Sequence, residues 1–199
     1  LKTWDGLPAV GLTYRLNNGM QWRAAYSETL SRPDFKELSA TLWRDDEKDL
    51  DVQGNPELRA ATLQNYDLRW EWYFARKENV SLGLFYKKFN TPIEDVFLGA
   101  ADPVLTFANA KAAFNQGIEF DFRKNLGFIY RSLTNLSFSG NMTYIQSQVS
   151  LDNIDGLELT TKERPLQGQS PYIFNFMLDY DLEKTKTNLS LVYNINGPR

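Results

Sequence analysis

Polar and apolar residues alternate along much of this chain, and the alternation has a period of two residues. From Tyr172 to Leu182 every second residue is Tyr, Phe or Leu, while Asp179 and Asp181 lie on the other side. Residues 66–72 and 118–123 repeat this arrangement, with large apolar side chains on one side and charged side chains on the other. A period of two is that of a β-strand whose two faces meet different surroundings.

The alternation predicts eight strands, each close to the ~9–11 residues that a tilted membrane strand needs. We place them near residues 8–17, 20–30, 60–74, 79–90, 113–124, 134–150, 170–182 and 188–197. The first two are separated by Asn18-Gly19, which is the strongest short signal for a β-hairpin. No helical pattern intervenes, so the predicted fold class is all-β and antiparallel.

The connections between these strands alternate between short and long. Short turns fall at 18–19, 75–78, 125–133 and 183–187, and long connections at 31–59, 91–112 and 151–169. Such a chain has tight turns at one end of the sheet and large loops at the other. Outer-membrane β-barrels are built in this way, with short periplasmic turns and long extracellular loops.

The alternation alone does not decide what covers the aromatic face. In a soluble sandwich that face is the core, whereas in an outer-membrane barrel it meets lipid and the charged face lines a polar lumen. Aromatic rings near strand ends favour the membrane, because Trp and Tyr prefer its interface with water. The rings in question are Trp22, Tyr26, Trp70, Trp72, Tyr144, Tyr172 and Tyr193.

The amino-acid composition excludes several kinds of catalytic and metal-binding site. The 199 residues include 22 Lys and Arg, 25 Asp and Glu, and neither Cys nor His. The chain therefore has no disulfide, thiol nucleophile, imidazole metal ligand or Ser-His-Asp triad. The acidic balance, with a pI of about 5.1, argues against nucleic-acid binding. No run approaches the roughly 20 apolar residues of a membrane helix, and we expect no cofactor, metal site or catalytic activity.

Several short blocks have a recognisable order and spacing. They are Tyr26-Ser27, Arg32-Pro33-Asp34-Phe35-Lys36-Glu37-Leu38, Gly54-Asn55-Pro56-Glu57-Leu58, Asn65-Tyr66-Asp67-Leu68-Arg69-Trp70-Glu71-Trp72-Tyr73, Phe85-Tyr86-Lys87-Lys88-Phe89, Pro92-Ile93-Glu94, Asn109-Ala110, Gly117-Ile118-Glu119, Gly140-Asn141-Met142-Thr143-Tyr144, Gly168-Gln169-Ser170-Pro171-Tyr172 and Tyr193-Asn194. In these blocks the chain resembles the C-terminal part of the β-barrel of TonB-dependent outer-membrane receptors. The likeness is greatest to the type common in Bacteroidetes-like bacteria.

The resemblance implies a barrel of 22 antiparallel strands that is plugged by a separate N-terminal domain. Residues 1–199 are then expected to be part of that barrel, with the plug domain, the first strands and the closing strand outside this stretch. The implied function is import of a scarce ligand (siderophore, haem, cobalamin or oligosaccharide) across the outer membrane of a Gram-negative cell. The implied partners are membrane lipid, the plug and the TonB–ExbB–ExbD complex.

Charged residues on the polar face are the candidate site. If the aromatic face meets lipid, these side chains project into the lumen, where they pair with each other, contact the plug or contact the ligand. Burial of any of them without a partner would be costly. We select Arg23, Arg69, Glu71, Glu119, Asp121 and Arg123. Asp179 and Asp181 share their face.

Three loop segments invite separate interpretations. The acidic run 45–51 fits either a calcium site with oxygen ligands or a solvated loop, and we favour the solvated loop. Residues 152–158 resemble a calcium loop faintly but carry Ile154 at the third position of the EF-hand pattern, so we discount that site. The connection 91–112 has more apolar residues than a free loop, which predicts packing against neighbouring loops or the plug.

Two other functions remain open at this point. One is a small eight-stranded outer-membrane barrel with a structural or adhesive role, since eight strands suffice to close a barrel. The other is a soluble β-sandwich binding module whose core is the aromatic face. Neither of them accounts for the receptor-like blocks.

Overall fold

The computed structural model describes residues 5–47, 49–99, 103–151, 161–182 and 184–198. Among these residues no helix is long and apolar enough to cross a membrane. Thirteen strands form within the described ranges. They are β1 (Ala9–Arg15), β2 (Met20–Ser31), β3 (Leu42–Asp45), β4 (Leu50–Gln53), β5 (Ala61–Ala75), β6 (Glu78–Asn90), β7 (Ile93–Leu98), β8 (Val104–Asn109), β9 (Ala112–Asn125), β10 (Leu136–Ser150), β11 (Glu163–Arg164), β12 (Tyr172–Leu182) and β13 (Thr187–Asn196).

The main sheet is an antiparallel meander in the order β1-β2-β5-β6-β9-β10-β12-β13, and β11 pairs with the end of β10. These eight strands are the eight predicted ones, and every end lies within two residues of its predicted position. Asn18 and Gly19 both have positive φ, as a tight hairpin turn requires. The predicted alternation of short turns and long connections is therefore confirmed.

A second sheet lies within the long connections, in the order β3-β4-β8-β7. Its β4 and β8 strands run parallel, with Val52 opposite Leu105. The predicted antiparallel all-β fold is confirmed for the main sheet. The prediction that both connections are loops was wrong, because they contain four short strands and one parallel pair. The cause is that these strands have only four to six residues. In addition, the parallel pair joins β4 in one connection to β8 in the other, which alternation within one segment cannot reveal.

The two faces of the main sheet differ in exposure. We call the face that carries Trp70 and Phe120 the outer face and the face that carries Arg69 and Asp121 the inner face. On neighbouring positions of β6, outer-face Leu82 is 44% exposed and inner-face Ser81 only 1%. The charged face is therefore the enclosed one, which fits a lumen and is the reverse of what a soluble sandwich requires.

Most of the buried apolar residues lie at the end of the sheet that carries the long connections. One cluster contains Val96, Ala108, Ala110, Ala113, Val149 and Leu151, and Phe89 and Leu166 pack against it. Val96 and Ala108 belong to the connection between β6 and β9. The prediction that this connection packs against its neighbours is thus confirmed.

Candidate functional site

Strand register gathers the candidate residues on the inner face into two adjacent rows. In one row Arg23 on β2 is opposite Arg69 on β5, and Gly83 on β6 separates Arg69 from Glu119 on β9. In the next row Glu71 on β5 lies opposite Ser81 on β6, and Ser81 lies opposite Asp121 on β9. Five of the six predicted residues therefore meet in one patch. Alternation places them on the same face of β2, β5 and β9, and strand register brings them side by side.

Arg69 is at the centre of this patch. Its Nη2 is 2.6 Å from Asp121 Oδ2 and also donates to Ser81 Oγ at 2.8 Å. Its Nε is 3.2 Å from Glu71 Oε1, and its Nη1 is 3.7 Å from Glu119 Oε2. One guanidinium thus binds carboxylates from two strands, and the fixed fork of its donors holds them in place.

Glu71 is the buried member of the patch. Its side chain is 8% exposed, yet it is satisfied on several sides. Arg23 Nε is 3.5 Å from Glu71 Oε2, Tyr73 donates its hydroxyl at 3.3 Å, and the Gln21 side-chain amide also donates to the same oxygen. A buried carboxylate needs such partners, so we interpret Glu71 as a residue that holds the network together.

Arg123 is the sixth predicted residue and lies apart from the patch. Its Nη2 is 3.9 Å from Asp179 Oδ2 on β12, and Ser190 on β13 donates to the other oxygen of Asp179. The buried Nε of Arg123 makes no hydrogen bond within the described residues. The sequence placed this residue on the correct face, but its pair spans β9 and β12, which are not neighbours in the sheet.

Exposure divides the six residues into two groups. The side chains of Arg23, Glu119 and Arg123 are 56%, 44% and 42% exposed. Arg69 and Asp121 are less exposed and form an ion pair with each other. The first group is therefore the more accessible part of the inner face, whereas Arg69, Glu71 and Asp121 are bound within the network.

A second polar site lies where the three long connections meet, and sequence reasoning did not single it out. Glu94 on β7 is buried, and its Oε2 is 2.7 Å from Arg164 Nη2 on β11. Burial raises the pKa of the Glu94 carboxyl above its ordinary value, although the ion pair with Arg164 opposes the shift. The only signal in the sequence was the adjacent Glu94 and Asp95, because the pairing depends on contacts between connections that are distant in sequence.

A cavity of about 290 Å³ opens beside this ion pair. Each of the three connections contributes to its wall: Arg32 and Glu37 from the first, Glu94 from the second and Leu166 from the third, with Phe89 at the end of β6. The cavity is amphipathic. It lies at the long-loop end of the inner face.

At the two ends of the acidic run, Asp45 belongs to β3 and Asp51 to β4, and these strands pair antiparallel. Arg44 forms ion pairs with Asp49 and Asp51, the latter at 3.2 Å. The part of the chain that the structure describes contains no group of three acidic residues arranged to hold a metal ion. The faint calcium-loop match at 152–158 lies outside the described residues.

Comparisons with known proteins give a consistent result. The family model described as TonB dependent receptor-like, beta-barrel matches residues 2–199. The siderophore receptor PirA from Pseudomonas aeruginosa is similar in structure, with a TM-score of 0.69, 19% identity, and coverage of 96% of this chain and 33% of PirA. A mutant ferric enterobactin receptor (PfeA) from the same organism, in complex with enterobactin, has a TM-score of 0.66, 19% identity, and coverage of 96% and 28%.

A haem-related receptor is similar in fold as well. A double mutant of the Serratia marcescens hemophore receptor HasR, in complex with its hemophore HasA and heme, has a TM-score of 0.68 and 10% identity, and the match covers 96% of this chain and 32% of HasR. Comparison with curated protein sequences gave no match. The chain spans about a third or less of the length of the solved structures that it resembles.

Proposed function

Because this chain belongs to the family of TonB-dependent receptor β-barrels, whose members are outer-membrane proteins of Gram-negative bacteria, we propose that it is the barrel part of a receptor that imports a scarce ligand. The match to the family over residues 2–199 is the observation that carries this proposal. The enclosed inner face with its paired charges supports it, since a plugged, water-filled lumen needs a polar lining.

We propose further that residues 1–199 form one segment of a larger barrel with 22 strands. In the described sheet, β1 and β13 each pair with one neighbour only, and open edges are a liability unless further strands cover them. The plug domain, the first strands and the closing strand would then come from the rest of the protein. TonB, ExbB and ExbD would act through its N-terminal part.

The proposed ligand is an iron-carrying compound, either a ferric siderophore or haem. The names of the structural neighbours support this choice over cobalamin or an oligosaccharide. On the inner face, Arg23, Glu119 and Arg123 contact the ligand or the plug, and Arg69, Glu71 and Asp121 position them. The role is transport, since family and neighbours are receptors rather than enzymes.

Uptake by the full-length protein tests this proposal. The receptor is expressed in cells that lack their own iron receptors, and accumulation of radiolabelled ferric enterobactin and of haemin is measured with and without TonB. We expect uptake of at least one probe, and its loss without TonB. Failure to bind or import either probe would refute the iron-ligand assignment, and uptake that persists without TonB would refute the transport mechanism.

A further inference from the structure

The turn between β9 and β10, residues 126–135, is strongly apolar although it lies at the short-turn end of the sheet. It exposes Phe128, Ile129 and Tyr130 in succession, with 67%, 63% and 70% of their surface accessible. Three adjacent exposed apolar residues are unusual on a surface that faces water alone. The other short turns, by contrast, carry Arg76-Lys77 and Glu183-Lys184-Thr185-Lys186.

Hydrogen bonds and close contacts fix the backbone of this turn, so a variable conformation does not account for the exposure of these residues. Asn125 Oδ1 accepts the Gly127 N–H at 2.9 Å, and Asn125 Nδ2 donates to the Thr134 carbonyl at 2.6 Å. A Cβ at Gly127 would lie 2.8 Å from both Asn125 Oδ1 and Thr134 Cγ2. The backbone N–H of Ile129 donates to Leu126 O at 3.0 Å. The fold therefore holds the apolar side chains outward.

Contacts of Lys124 place the turn at the edge of the outer face. Lys124 Nζ is 4.8 Å from the ring centroid of Phe74 and 5.3 Å from that of Phe128. Phe74 in turn is 5.1 Å from Trp72, centroid to centroid. Phe128 is thus continuous with the aromatic belt that faces lipid.

The charge of Lys124 is compensated at this boundary. Its Nζ is 2.6 Å from Glu78 Oε2, and Glu78 also accepts the Asn125 N–H at 3.1 Å. A paired cation that also contacts two rings is compatible with the headgroup region of a bilayer, where an unpaired charge among the chains would be costly.

We propose that the 126–135 turn is a membrane anchor that inserts Phe128, Ile129 and Tyr130 into the lipid headgroup layer at the short-turn end of the barrel. The occupant of this surface is phospholipid, because the turn extends a face that already meets lipid. Exposed Arg131 follows the three residues directly, and an apolar group flanked by a cation is the composition that binds an anionic bilayer surface. In an outer-membrane barrel the short-turn end faces the periplasm.

Site-directed spin labelling of the full-length receptor tests the proposal directly. The chain contains no Cys, so after Ser replaces any cysteine elsewhere in the protein, Ile129→Cys gives a single label site. Lys186→Cys, in a polar turn at the same end, is the matched control. Both variants are placed in nanodiscs of phosphatidylethanolamine and phosphatidylglycerol, and collisions with oxygen and with a water-soluble nickel complex are measured.

We expect the label at Ile129 to be accessible to oxygen and shielded from nickel, and the label at Lys186 to show the reverse. Nickel accessibility at Ile129 equal to that at Lys186 would overturn the proposal, because the turn would lie in water. Shielding from both reagents would also overturn it, since the turn would then be covered by the plug or another protein. If Ile129→Cys does not assemble, Tyr130→Cys gives the same two readings.

Discussion

Arg69 occupies its central position because β-strand register brings carboxylates from β5 and β9 to the same guanidinium. Glu71 lies on its own strand, and Glu119 and Asp121 reach it across β6, where the facing residues are small. The network is therefore a property of three strands together. The residues of this network differ in how much of each side chain is accessible to a ligand.

Removing Arg69 should lower the stability of the barrel. Arg69→Met removes the cation that binds Glu71, Glu119 and Asp121, and a hydrogen bond to a charged group is worth about 1.5–3 kcal/mol. The measurement is the free energy of unfolding of the full-length receptor in denaturant. Arg44→Met is the control because its ion pairs are exposed and worth little. Equal stability of the two variants would contradict the central role of Arg69.

The three exposed members of the inner face should affect uptake more than stability. We expect Arg23→Ala, Glu119→Ala and Arg123→Ala to lower uptake of the imported ligand, because their side chains are the more exposed ones of the inner face, and to lower the free energy of unfolding less than Arg69→Met does. The checks are uptake in whole cells and unfolding of the purified protein. Unchanged uptake in all three variants would remove them from the contact surface.

At the residue scale, the sequence indicated which side chains share a face but not which of them pair. Alternation fixes the face of Arg123 because only parity along β9 is needed. Its pairing with Asp179 depends on how far the long Arg123 side chain reaches across the intervening strand, β10, and on the register of three strands. Neither is encoded in a local pattern.

Gly54 shows how the connections depend on close backbone contacts. A Cβ at this position would lie 2.2 Å from the Ser39 carbonyl oxygen and 2.6 Å from that of Lys36. Gly54→Ala must therefore displace the first connection, at a cost of about 1–3 kcal/mol for overpacking. We expect faster protease cleavage within residues 32–60 on intact cells. Gly11→Ala is the control, because no atom lies within 4 Å of its added Cβ, and equal cleavage of both variants would contradict the packing.

The Glu94–Arg164 pair gives the long-loop end a pH dependence. A carboxyl whose pKa is raised on folding binds more protons folded than unfolded, so it destabilises the fold above its folded pKa and ceases to do so below its unfolded pKa. The stability of the wild type relative to Glu94→Gln should therefore increase as pH falls from neutral through the raised pKa, which lies above 4.5. Denaturant unfolding of both proteins across this range measures the difference, and a constant or opposite difference would contradict the assignment.

At the element scale, a strand could be predicted from the sequence when it was long and when its two faces met different surroundings. The eight strands of the main sheet were found because one side faces lipid and the other a polar lumen, so that alternation persists over seven or more residues. The hairpin β3–β4 and the strands β7 and β8 were missed because they are short and because β8 is stabilised by a parallel partner from another connection. Asn55 donates its side-chain amide to the Phe107 carbonyl at 3.0 Å and so ties two connections together.

The molecule as a whole presents two open sheet edges and an exposed aromatic face. Outside a membrane, residues 1–199 alone should aggregate or dimerise edge to edge, because unpaired strands and large apolar patches associate in water. Light scattering in buffer without detergent tests this expectation. A well-behaved monomer would contradict the assignment of the outer face to lipid.

The family and the architecture followed from the sequence, whereas the 22-strand count, the Bacteroidetes-like type and the identity of the ligand stay predictions. No local pattern along residues 1–199 records any of the three. The resemblance was sufficient for the family because the ordered blocks extend along most of the chain.

The central claim, that this chain is part of a larger outer-membrane receptor, is tested most directly by the mass and location of the native polypeptide. Peptides from this sequence identify the protein in a detergent-extracted outer-membrane fraction, and its intact mass is then measured. We predict a membrane protein several times larger than 23.0 kDa, with peptides of a plug domain upstream. A soluble product of 23.0 kDa would contradict the account.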